Sequence, residues 1–81
     1  LYVLSMTEVL AALEQRKRFL KQDFERVYQK YQQQKAYLPL SGELLFRHSF
    51  AAIKNEIAFL EASITFIKEQ EVEEETSHVE N

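Results

Sequence analysis

Acid–base or metal chemistry in this sequence would have to recruit two histidines, His48 and His78, and the glutamates Glu8, Glu14, Glu43, Glu56 and Glu61. A di-metal site in a helical bundle needs a Glu-x-x-His motif on each of two helices, and a zinc hydrolase helix needs histidines four residues apart. Neither arrangement is present. Cysteine is absent, which removes thiolate ligands and disulfide staples together and fits a reducing compartment. No Ser/His/Asp set and no glycine-rich phosphate loop can be assembled from a chain with one glycine. The expectation is a protein that is not an enzyme and holds no cofactor or metal.

The elements that carry these residues follow from punctuation. The only Pro and the only Gly fall in Leu38-Pro39-Leu40-Ser41-Gly42. Pro39 drives Leu38 out of the helical region and ends what precedes it. Ser41 is the expected cap of the next helix, with Leu40 and Leu45 as its hydrophobic staple. Upstream, Ser5-Met6-Thr7-Glu8 fits a capping box, with Leu4 and Val9 as the staple pair. The reading is an N-terminal flank at 1–5, helix one at 6–37, a turn at 38–41, helix two at 42–70 and an acidic flexible tail at 71–81. Each helix would be about 45 Å long at 1.5 Å per residue. So short a linker folds them into an antiparallel hairpin.

Both helices carry heptad stripes. In the first, Leu10, Leu13, Lys17, Leu20, Phe24, Val27, Tyr31 and Gln34 alternate steps of three and four. Lys17 and Gln34 are its polar members. In the second, Phe46, Phe50, Ile53, Ile57, Leu60, Ile64 and Ile67 follow the same rule with none. The facing stripes make a coiled-coil-like core, in an all-α fold.

Helix two has apolar residues to spare. Leu45, Ala52, Phe59 and Phe66 recur every seventh position, with Ala62 beside them, roughly 130 to 150° round from the isoleucine-rich stripe. Helix one covers one flank only, because two antiparallel helices share a single seam. Chains of 81 residues rarely bury enough apolar surface alone. The expectation is therefore a homodimer, a four-helix bundle in which copies of helix two meet through Phe59 and Phe66. The alternative occupant is a helix from another protein, or from a missing part of this one.

Charge is distributed unevenly. Arg16, Lys17, Arg18, Lys21, Arg26, Lys30 and Lys35 against Asp23 and Glu25 give residues 16–35 a net +5, while residues 68–81 sum to −5. The basic tract interleaves with Phe19, Phe24, Val27, Tyr28 and Tyr31, so in isolation it has the make-up of a calmodulin target or an anionic-surface helix. Arg16, Lys17, Arg18, Lys21, Arg26 and Lys30 are its candidate docking face, for calmodulin or a microtubule. Nucleic acid is disfavoured by a pI of about 5.4 and the acidic end. Lys54, Asn55, Glu56 and Glu61 interrupt the apolar runs, so no membrane span is expected.

The run Tyr28 to Tyr31, then Leu38-Pro39-Leu40, Arg47, and the later Ile57, Leu60-Glu61 and Ile64 resembles the enkurin domain, a C-terminal helical module of ciliary and flagellar proteins. The similarity covers residues 13–70 and rests mostly on the heptads and the Leu-Pro turn. Where that family usually has an Asp-Thr pair and more Lys or Arg after the turn, this chain has Ser41-Gly42-Glu43-Leu44-Leu45. The resemblance implies a microtubule-associated adaptor with no catalytic residues. The functional expectation is an interaction and dimerisation segment of a larger cytoplasmic scaffold or cytoskeletal adaptor.

Overall fold

The computed structural model describes the backbone of residues 5–80 and the side chains of residues 5–70. Two helices, α1 (Met6–Gln34) and α2 (Leu40–Glu80), pack against each other along one seam, and no strand occurs among the described residues. The molecule is a rod of 65 × 25 × 20 Å.

Local chemistry sets the ends. Ser5 has extended backbone, φ −70° and ψ 158°, and its Oγ accepts from the Glu8 amide at 3.2 Å, satisfying a donor that α1 leaves unpaired. Leu4, the expected staple partner of Val9, lies outside the described residues. At the other end the Lys35 amide donates to the Tyr31 carbonyl at 2.8 Å and the Tyr37 amide to Gln34 at 2.9 Å. α1 thus closes three residues before the expected limit, because residues 35–39 are needed to reverse the chain ahead of Pro39. Gln34, expected in the seam, is exposed at the helix end, and the seam stops at Tyr31.

The start of α2 differs from the reading by its cap. The Pro39 carbonyl accepts from the Glu43 amide at 3.0 Å, so the helix begins at Leu40 and Ser41 lies inside its first turn. Proline suits this place, since its φ is already near the helical value and an amide at a helix entrance has no intrahelical acceptor to lose. Leu40 and Leu45 are 75% and 70% exposed and do not form the expected staple. Leu38 folds back instead: a Cβ on Gly42 would sit 3.0 Å from its Cδ2, which is why the side-chain-free residue fits here. The α2 backbone stays helical to Glu80. The side chains of the acidic segment, read as a flexible tail, and Asn81 lie outside those described.

The seam has two chemistries. Toward the turn it is aromatic: the Phe50 ring lies 5.3 Å from Phe24, 6.2 Å from Tyr28, 5.6 Å from Tyr31 and 6.2 Å from Phe46. The Tyr31 contact is edge-on, the arrangement that ring quadrupoles favour. Toward the other end it is aliphatic, and Leu20, Leu60 and Ile64 are the three most buried side chains, each 5% exposed. Leu13, Val27, Ile53, Ile57 and Ile67 are half-buried along the same line. Lys17 lies within it with its stem half-buried and its ammonium 3.7 Å from Glu14, so the apolar part of the side chain packs while the charge reaches water.

Truncating the aliphatic end removes buried methyl groups that no neighbour can replace. Leu60→Ala lowers stability by about 2–4 kcal/mol. Tyr37→Ser, at an exposed turn position, stays within about 0.5 kcal/mol. Urea unfolding followed by circular dichroism checks both.

Candidate helix-docking face

α2 distributes its charges differently from an ordinary surface helix. Between Leu44 and Ile67 its only charged residues are Arg47, Lys54, Glu56 and Glu61. Three of these four lie beside the seam in contact with groups there. Arg47 Nε donates to Glu43 at 3.2 Å, Lys54 Nζ stands 5.6 Å over the Phe24 ring, and Glu56 takes the Arg16 guanidinium at 3.0 Å. The side turned away from α1 carries no charge from Leu44 to Phe66. A solvated helix shows the reverse, with charges on the side away from its partner.

The sequence-predicted face lies on this side. Leu45, Ala52, Phe59, Ala62 and Phe66 are all exposed in the single chain, Phe59 by 67% and Phe66 by 61%. Phe59, Ala62, Ser63 and Phe66, with Ile67, line a shallow, largely apolar groove. The first four occupy positions i, i+3, i+4 and i+7, the diamond that receives one side chain of a neighbouring helix in knobs-into-holes packing. Large residues stand at its ends and small ones at its sides. It is a hole with no knob in it.

Leu44 and Phe19 are exposed large apolar residues that the sequence reading did not assign to this face. Leu44 was legible from its neighbour Leu45, since both lie off the stripe. Phe19 sits on α1 one turn beyond Arg16, the residue that reaches across to Glu56. With Gln15, Arg18 and Gln22 it lines a second hollow at the same four-residue spacing, but with polar walls.

The basic tract is otherwise engaged. Its apolar members Phe24, Val27 and Tyr31 sit in the seam, Arg16 pairs with Glu56, and Arg26 pairs with Asp23 at 2.7 Å. Arg18, Lys21 and Lys30 are exposed on the outer side of α1. His48 is exposed on α2, and His78 lies outside the described side chains. Among the described residues no three His, Asp or Glu come together as metal ligands, and no helix is long and apolar enough to cross a membrane.

One polar clasp holds the face at a fixed angle to α1. The Tyr31 hydroxyl donates to Glu43 Oε1 at 2.8 Å, tying the last turn of α1 to the first turn of α2, and Arg47 donates to the same oxygen. The hydrogen bond from Tyr31 holds the Glu43 carboxyl below its ordinary range, helped by Arg47 and opposed by partial desolvation. The same bond, with desolvation and the nearby carboxylate charge, pushes the Tyr31 phenol up. Searches against protein-family models, curated proteins and solved structures find no match to this chain.

The clasp gives two pH limits. A depressed Glu43 contributes stability above its unfolded value of 4.5 that is lost as pH falls through the folded value. A raised Tyr31 contributes stability below 10.0 that is lost as pH climbs through its folded value. Tyr31→Phe flattens both arms of the melting temperature against pH, relative to the parent chain. Equal slopes in parent and variant would show that the clasp is energetically silent.

Proposed function

We propose that this chain is a non-enzymatic helix-docking module, which joins two copies of itself and so brings together whatever each copy is attached to. The observation that carries this reading is the charge-free, unpartnered side of α2 with its empty Phe59–Phe66 hole. Exposed apolar surface such as that at Phe59, Ala62 and Phe66 marks an interface in soluble proteins, and an identical surface most simply covers itself across a two-fold axis.

The parent protein is read as a cytoplasmic scaffold or cytoskeletal adaptor, and the resemblance of residues 13–70 to the enkurin domain is the ground for naming that setting. Calmodulin capture by the basic tract is the weaker reading, because its apolar residues are taken up by the seam and binding would require the hairpin to open.

Phe59→Glu places a carboxylate in the proposed interface and converts the dimer into a monomer of lower helicity. Lys21→Glu, on the outer side of α1, leaves the mass unchanged. Sedimentation equilibrium at micromolar concentration reads both, and a parent chain that sediments as a monomer throughout would overturn the reading.

A further inference from the structure

We infer that the turn end of the hairpin is a shallow membrane-docking tip, which seats Tyr37, Leu40 and Leu44 in the interfacial layer of an anionic lipid surface. The inference concerns the end of the rod and does not depend on what covers the outer flank of α2. Tyr37 and Leu40, 87% and 75% exposed, are the two most exposed large apolar side chains of the described residues. Leu44, at 56%, follows Leu40 by one turn on the same side of α2. The fold does not need them at the turn. The seam reaches its end at the Tyr31–Phe46 ring contact of 5.3 Å, and it is Leu38 that folds back over Gly42.

Behind this apolar end stands a polar collar. Gln32, Gln33, Gln34 and Lys35 on the α1 side and Arg47 and His48 on α2 are all exposed. Residues 30–48 carry a formal charge of +2, from Lys30, Lys35 and Arg47 against Glu43, in a chain whose net charge is −3. The one carboxylate of that span accepts from the Tyr31 hydroxyl at 2.8 Å and from Arg47 at 3.2 Å. With Arg47 matched to Glu43, Lys30 and Lys35 supply the surplus, and among the described residues neither forms an ion pair.

Composition and shape select lipid as the occupant. Lysine is depleted at protein interfaces, whereas a tyrosine and leucines beside lysines match the headgroup boundary, where the ring straddles the interface and the ammonium groups meet anionic lipid. A bilayer also needs no complementary pocket to receive a protruding turn. Penetration is shallow, because the carbonyls at the end of α1 and the glutamine collar require water.

The chain has no tryptophan, so Tyr37→Trp places a single reporter at the tip. With vesicles of phosphatidylcholine containing about 30% phosphatidylserine, its emission shifts to the blue and is quenched more by shallow nitroxide lipids than by deep ones. Co-sedimentation of the parent chain with the same vesicles reads binding without the reporter. Lys30→Gln/Lys35→Gln lowers the partition coefficient about 30-fold, about fivefold per lysine, and phosphatidylcholine alone binds the parent as weakly. Tyr37→Ser/Leu40→Ser, at two exposed positions, lowers it about tenfold or more while urea unfolding stays as in the parent. A parent chain that stays in the supernatant, or a reporter whose emission does not move, overturns the inference and leaves a protein pocket as the receiver of the tip. Binding that survives Tyr37→Ser/Leu40→Ser but is lost in Arg18→Glu/Lys21→Glu overturns it as well, and places the lipid contact on the outer side of α1.

Discussion

Two antiparallel helices share one line of contact, and α2 carries apolar residues enough for two. Most features of the hairpin follow from this mismatch. α1 is an ordinary amphipathic helix, with Leu13, Leu20 and Val27 turned inward and a basic outer side. α2 has Ile57, Leu60 and Ile64 against α1 and Phe59 and Phe66 on another flank, with Ala58 and Ala62 between them. Its few charges stand next to the seam, where they reach Glu43, Phe24 and Arg16. Charge placed there does not obstruct a second helix.

The hairpin keeps α2 in a defined orientation through its two kinds of packing. At the turn end Phe50 touches four rings, and aromatic pairs have preferred angles, so this end resists rotation of one helix against the other. At the far end Leu20, Leu60 and Ile64 exclude water but have no directional contacts, and this end supplies burial. The surface pairs Arg16–Glu56 and Glu14–Lys68 bridge the two helices. Exposed pairs of this kind contribute little energy, and their value is that they disfavour a slip of the seam by one turn. The Tyr31–Glu43 bond is shorter and half-buried, and it sits where a slip would begin.

The seam was legible in the sequence because a heptad is a local pattern: Leu20, Phe24, Leu60 and Ile64 announce their side by spacing alone. The exposed line of Leu45, Phe59 and Phe66 was legible for the same reason. The turn was less so. Serine after proline has the grammar of a cap, yet the Pro39 carbonyl already accepts the first amide bond, and nothing in the residue types reveals that competition. The Tyr31–Glu43 clasp depends on which residues come level across the hairpin, and that is decided by how the turn folds. A signal did exist: Tyr31 and Glu43 lie six residues either side of position 37, and Phe24 and Phe50 thirteen either side. Folding the sequence about residue 37 places both pairs correctly. Phe19 escaped because it is a single apolar residue off the stripe, and single exposed apolar residues are ordinary on any surface.

The division of labour between the helices also explains why the chain is a hairpin at all. A lone α2 would present apolar residues round most of its circumference and would associate without a preferred number or direction of neighbours. Covering the isoleucine flank with α1 leaves one flank open, and one open flank admits one neighbour. The basic outer side of α1 faces water, while its packing against Phe50 and Leu60 decides which side of α2 remains exposed. α1 thus shapes the exposed face without forming part of it: by covering the isoleucine flank it leaves a single apolar flank of α2 uncovered.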